Sequence, residues 1–530
     1  VIGSSTTVGR WRIDAFDVAV LVAFLALSMW TVAVLVAQQT PQHIWTGTNG
    51  PYIGDQMQYL GWIRDSAKHV FIDNPYDTKA GSYDYLNPGL AISGVLVRLG
   101  AAAWIAYLMW TPIAAVGLFI AARAYVRRLV TGTAKRRCAL VLALFYLSPV
   151  AELAQLLHWN QLIFVGSLSL EMWPGLYLWG YPLTAITVAL MIGTLMAYER
   201  DRRDGRLRMW APICALFCAW LQPWQGATVI VIVLVAEALL WWRGHPLPLA
   251  LPVATVASAT LPLGYYFLLS HVDAAWALSG RINFSQGIPL GDLLITVSPL
   301  LICAILAYRT VPMTFEGLAV RIWPFGAFAV LKVIQLAHVG TFPKHALQGL
   351  SIPLAVLAVI GASRLRLGLP ALTRVILGTV LVAGLIGPSL VRELDASRGF
   401  ATPTIFGYTP YFIRPSEQDA LDYLNRHSEP GAVLSTLYLG QIIPAETGRQ
   451  TWVGIVSWTP DYVKRVALAD ALFSGKLGPA QAAAAVKSSR ARFLLSDCRD
   501  NFDLDRSIPT ILAATTHFGC ATVYRVAAGQ

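Results

Sequence analysis

The chain has 530 residues, of which 56% are hydrophobic and only 13% charged. Soluble globules carry roughly 25% charged residues, so the composition excludes a soluble enzyme or binding module and defines a polytopic membrane protein. The net charge of +11 suggests nucleic acid only until the charges are placed: they fall in bands between apolar segments, and no nucleic-acid partner is expected.

In chain order the apolar segments are 15–38, 101–125, 138–157, 177–197, 209–221, 226–242, 247–269, 289–308, 323–338, 346–362 and 369–391, about eleven in all. Each is judged against the roughly 20 helical residues that cross a hydrocarbon core of about 30 Å. Residues 1–14 lack a cleavage pattern, so the first segment reads as an anchor. The basic bands are Arg10 and Arg12, then Arg123 to Arg137, Arg200 to Arg208, Arg243, Arg309 with Arg321, and Arg364 with Arg366. They recur after every second segment. Since positive residues mark the cytoplasmic side, the expectation is a multi-pass membrane protein with a cytoplasmic N-terminus. An odd number of crossings then carries everything after Val391 to the outer, periplasmic or extracellular, face.

This divides the chain into a membrane domain, 1–391, and an extracytoplasmic α/β domain, 392–530. In the second domain Ser416 and Thr459-Pro460 open helices, and 432–434, 492–495 and 521–524 read as strands. Cys138, Cys214, Cys218 and Cys303 lie in apolar segments as small hydrophobes. Cys498 and Cys520 share a compartment that permits oxidation, and their pairing is left open.

The first outer loop carries Tyr52-Ile53-Gly54-Asp55-Gln56-Met57-Gln58-Tyr59. An interfacial helix is expected over 56–72, with Tyr59, Ile63 and Val70 on one side, Arg64, Asp65 and Lys68 toward water, and Asp55 just before it. A carboxylate there avoids the cost of a mid-bilayer charge, yet partial burial can raise its pKa into the range of a general base. The alternative is that Asp55 is an N-cap.

The Asp-x-x-x-Tyr sequence at Asp55 and Tyr59, about eleven apolar helices and an outer C-terminal domain resemble the GT-C glycosyltransferases, integral-membrane enzymes that use polyprenyl-phosphate sugars. The segment Ile443 to Arg449, Val453-Gly454 and Thr459-Pro460-Asp461 is similar to the outer domain of bacterial GT-C-like proteins. The resemblance implies an α-helical polytopic GT-C-like fold and transfer of a sugar from a polyprenyl-phosphate donor to a lipid, glycan or protein acceptor, with Asp55 as base.

Such transfer leaves an anionic lipid phosphate that needs cations more than a proton. Lys344 and His345, in the turn before the tenth segment, and Arg281, after the seventh, are the expected phosphate ligands, with His338 nearby. Lys332 lies inside the ninth segment, where a charge costs about 2.5–3.5 kcal/mol on insertion scales, and is a further candidate. Membrane anchoring is the alternative for Lys344 and His345. Tyr59, Gln56, His158, Gln222 and Trp224 are expected to bind substrate. No cofactor or metal is expected. Asp55 with Glu171 is the pairing that would hold a divalent ion, as acidic residues of both outer loops do in some GT-C enzymes. A rival class is a lipid or solute transporter, which typically shows related halves and midplane charges; no repeat is visible, and the polar residues crowd the outer face.

Overall fold

The computed structural model describes residues 13–79, 81–159, 162, 164–283, 287–337, 341–365, 368, 370–400, 409–499 and 502–527. Among these, each expected apolar segment is helical. Eight helices are long and apolar enough to cross a membrane alone: Ala15–Ala37, Ala103–Leu129, Pro182–Asp204, Pro223–Trp242, Ala250–Val272, Leu290–Ala307, Phe315–Ala337 and Leu372–Gly399. The pair Thr133–Phe145 and Val150–Leu156 is long and apolar enough only when taken together, and is bent by 60° at its break. Pro149 sits at the break, where it lacks a donor for the helix ladder. The other two, Trp210–Leu221 and Ser351–Ala362, have 12 residues each, or about 18 Å at 1.5 Å per residue, and stop short of a full crossing.

At one end of the bundle, the basic bands meet acids from neighbouring helices. Asp17, in the first turn of the first helix, accepts from Arg123 at 2.6 Å and Arg127 at 3.0 Å. Arg202 reaches Glu237 at 2.8 Å, and Arg128 reaches Glu316 at 2.5 Å. The ends of five helices are thereby gathered on one side, as the banding predicts.

At the opposite end, the first loop and the C-terminal region build one body. Strand β1 (Ile44–Trp45) pairs antiparallel with β2 (Phe412–Ile413). The main sheet contains β3 (Val433–Ser435), β4 (Phe493–Ser496), β5 (Leu512–Phe518) and β6 (Ala521–Val526) in the order β3-β4-β6-β5. β3 and β4 are parallel, and the other pairs are antiparallel. The hairpin β5-β6 turns at Gly519, whose φ of +60° suits glycine. A disulfide joins Cys520 at that turn to Cys498 just after β4. The three expected strands are present. β5 was not legible, because its sequence LAATTHF alternates poorly and its burial is partial, as befits an edge strand. The expected helices are Pro415–Arg426 and Tyr462–Phe473. Their caps fall on Arg414 and Asp461 rather than on Ser416 and Thr459.

The first loop is strapped to this domain. Thr451 N–H donates to Pro75 O at 2.9 Å, Arg465 pairs with Asp77 at 3.0 Å, and Thr78 donates to Ser489 O at 2.6 Å. Tyr76 is fully buried under Gly454, where an added Cβ would stand 2.2 Å from its ring. Between this body and the helices lies a cavity of about 1050 Å³.

Candidate functional site

The interfacial helix spans Ile53–Ser66, three residues earlier than expected. Asp55 therefore lies in its first turn, and the cap position belongs to Tyr52, which makes no side-chain cap bond. The N-cap reading of Asp55 is thus corrected. Its carboxylate instead accepts from the Tyr181 hydroxyl at 2.6 Å. Asp55, Gln58, Tyr59 and Trp62 follow one another at i, i+3, i+4 and i+7, so they share one helix face, and all four line the cavity. Val70, expected on the packed side, is exposed beyond the helix end.

Burial pushes the Asp55 carboxyl up from its ordinary value. The Tyr181 hydroxyl, His345 and Lys344 pull it down, Glu171 adds to the upward push, and the net direction is up. That is the direction which makes a carboxylate a better proton acceptor near neutral pH.

Lys344 and His345 lie on the short 3-10 turn Pro343–Leu347, behind Phe342 at φ +41°. Both turn to Glu171: Lys344 Nζ is 3.3 Å from Oε1, and His345 Nδ1 is 2.9 Å from Oε2. Gln348 donates to Oε2 at 3.1 Å. Burial alone would raise the Glu171 carboxyl, but His345 and Lys344 outweigh it and hold it at about 2. For Lys344, burial works against the charge, and Glu171, Tyr52 and Asp55 more than restore it, so its pKa is raised. His345 also faces the cavity, with its ring 4.9 Å from that of Trp224.

Of the other expected residues, Tyr59, Gln222, Trp224 and Arg281 line the same cavity. Gln222 donates to Thr184 at 2.8 Å, and Trp224 to Thr341 O at 2.8 Å. Arg281 is exposed and has no hydrogen-bond or ion-pair partner among the described residues.

Three expectations fail on geometry. Gln56, one position after Asp55, is turned about 100° around the helix into the interior, where it is fully buried and accepts from Asn49 N–H. His158 is exposed, at φ +54°, away from the cavity walls. Lys332 donates to Ile288 O at 2.7 Å and Gln335 at 3.0 Å, which satisfies its charge outside the cavity. His338 lies outside the described residues.

Sequence reasoning did not single out Tyr181, Gln58 or Trp62, and treated Glu171 only as a metal ligand. Gln58 and Trp62 were within reach of the helical spacing from Asp55. Tyr181 was not, because its partner lies 126 residues away. As a divalent-ion ligand Glu171 fits poorly, since Lys344, His345 and Gln348 already occupy both of its oxygens. Among the described residues there is no group of three or more His, Cys, Asp or Glu placed to hold a metal.

No known protein-family profile matches the sequence, and no curated protein does. Solved structures do match. The apo oligosaccharyltransferase of Archaeoglobus fulgidus superposes with a TM-score of 0.54 at 13% identity, over 92% of this chain and 70% of that one. Its complex with zinc and sulfate gives 0.51 at 15%, over 91% and 68%. ArnT from Cupriavidus metallidurans, bound to undecaprenyl phosphate, gives 0.49 at 15%, over 96% and 98%. The oligosaccharyltransferase likeness defines the fold: this is a multi-pass membrane protein with the GT-C-like architecture.

Proposed function

We propose that the chain is a membrane glycosyltransferase that moves a sugar from a polyprenyl-phosphate donor to a hydroxyl of a lipid, glycan or protein acceptor, with Asp55 as general base. The observation that carries this is the Asp55 carboxylate, raised by burial and oriented by Tyr181, on the wall of a large cavity. In the reaction the acceptor oxygen attacks the anomeric carbon, its proton passes to Asp55, and the bond to the phosphate oxygen breaks. The leaving phosphate keeps the electron pair and is stabilised by cations.

The rest of the cavity suits the donor. Ile230, Val231, Val330, Val333 and Ile334, from two spanning helices, give an apolar wall for a polyprenyl chain. His345 and Arg281 open on the same space, and Lys344 stands within electrostatic reach of Asp55. We assign them to the phosphate, with Glu171 fixing the pose of Lys344 and His345. The fold likeness to an oligosaccharyltransferase supports the transferase reading over a transporter. We place the site on the outer face of the cytoplasmic membrane, because the arginine-rich ends lie at the other end of the bundle.

The test is mass spectrometry of lipids that co-purify with the chain, together with consumption of polyprenyl-phosphate sugars by the purified protein. Bound polyprenyl phosphate and released sugar are expected. Finding neither of them would overturn the proposal.

A further inference from the structure

Beyond Asp55 the face of the interfacial helix continues into a wall of rings. Trp62 lies 4.9 Å from Tyr85, Tyr85 lies 4.8 Å from Trp276, Trp276 lies 5.1 Å from Trp458, and Trp458 lies 5.2 Å from Trp62, centroid to centroid. The circuit closes. Its members come from the interfacial helix, the segment before Pro88, the helix Ala274–Asn283 and the C-terminal domain. All four line the cavity. Tyr59, 6.0 Å from Trp62, links the wall to Asp55. Rings tilted at these spacings pack on one another, so they form a continuous surface rather than an empty cage for a cation.

The indole donors of this wall are unspent, while the Tyr85 hydroxyl already accepts from Asn87 at 3.2 Å. The indole N–H groups of Trp62, Trp276 and Trp458 have no hydrogen-bond partner among the described residues, and neither does the Gln58 carboxamide. By contrast, Trp179, Trp220 and Trp224 each donate to a backbone carbonyl. Trp62 and Trp458 are only 4% and 5% exposed, so what remains open of them faces the cavity. Leaving such donors unpaired is costly unless a ligand or water meets them.

We propose that this wall is the acceptor subsite and that it takes a pyranose ring, so that the acceptor is a carbohydrate presenting one hydroxyl to Asp55. The inference rests on the transferase reading. The C–H face of a pyranose is apolar and flat enough to lie on indole and phenol rings, while its rim of hydroxyls both donates and accepts. The Gln58 carboxamide supplies both kinds of partner, and the indoles supply donors. An acyl chain would leave these groups unsatisfied. An extended peptide would call for backbone partners such as a sheet edge, which the wall does not offer. Transfer then forms a bond from the acceptor oxygen to the donor's anomeric carbon, breaks the bond from that carbon to the phosphate oxygen, and delivers the hydroxyl proton to Asp55.

The experiment is saturation-transfer NMR on the purified full chain with a panel of methyl pyranosides, beside a serine-containing and threonine-containing peptide. At least one pyranoside should receive saturation. Trp276→Ala should weaken it about tenfold, the scale of losing one aromatic anchor. Gln58→Leu, which leaves the rings in place, should change the ranking among epimers, since a site built to hydrogen-bond a hydroxyl discriminates by it. No contact with any pyranoside, or contact indifferent to both substitutions, would overturn the subsite. So would peptide binding that Trp276→Ala removes while pyranosides stay silent. Polyprenyl phosphate bound without pyranoside contact defeats the subsite alone. Pyranoside contact with no polyprenyl phosphate in any preparation defeats the transferase reading and leaves the sugar wall standing.

Discussion

The Tyr181 hydroxyl donates to Asp55 Oδ2 at 2.6 Å across 126 residues of sequence. It joins the N-cap residue of the spanning helix Pro182–Asp204 to the first turn of the interfacial helix. This bond favours the ionised carboxylate, against a burial that favours the neutral acid.

Removing each partner should therefore give different signatures. Asp55→Asn should cut turnover to below about a tenth, since general-base removal typically costs 100-fold or more, with little change in thermal stability. Tyr181→Phe should retain activity but move the acid limb of the kcat/KM profile to higher pH, because the Asp55 pKa rises further once the hydroxyl is gone. A pH–rate profile of both variants checks this, and an unmoved acid limb in Tyr181→Phe would remove Asp55 as the titrating base.

Glu171 should behave as a counter-ion. Its side chain is 4% exposed beneath Lys344 and His345, so Glu171→Gln strands the Lys344 cation and should cost about 3 kcal/mol, the scale for breaking a buried ion pair from one side. Because the folded carboxyl sits near 2 against an ordinary value of 4.5, its stabilisation is fully present above pH 4.5 and is lost as pH falls toward 2. Thermal melts of wild type and Glu171→Gln across pH 2–6 should converge at the acid end. Parallel curves throughout would contradict the pairing.

Removing the side chains proposed to hold the phosphate should affect binding and chemistry together, because negative charge concentrates on the leaving phosphate in the transition state. Lys344→Gln and His345→Ala should each weaken polyprenyl-phosphate binding and lower kcat in monodisperse protein. Normal values for both would move the phosphate to Arg281, for which Arg281→Gln is the matching variant.

Orientation is open to direct labelling. Val463 is 79% exposed on the C-terminal domain, and Val463→Cys should react with an impermeant thiol reagent on intact cells. Labelling that requires lysis would place the domain, and the cavity beside it, in the cytoplasm.

Much of the fold was legible because membrane burial leaves a one-dimensional record. Long apolar runs such as 247–269 must be helices in lipid, where every backbone group needs an internal partner. The basic bands likewise foretold that Arg123, Arg128 and Arg202 would gather at one end. Span length was less legible: Trp210–Leu221 and Ser351–Ala362 are as apolar as their neighbours but too short to cross alone. In the site, Asp55 and Tyr59 stood out by type and spacing, and both line the cavity. Gln56 and Lys332 were drawn to the site by the same kind of signal, yet one turns inward and the other spends its charge on a carbonyl.

The sequence by itself determined the solvent, since 56% hydrophobic residues leave no other environment for so many unbroken apolar helices. It also determined which loop carries an acid, because a polar, aromatic segment between two such helices is visible without any partner. Tertiary structure alone decided which charges are free and which are paired. Lys344 and His345 are held by Glu171, more than 170 residues earlier, while Trp62, Tyr85, Trp276 and Trp458 meet from four separate stretches of chain. Contacts of that separation depend on how helices and loops pack in three dimensions, and no local period or propensity encodes them.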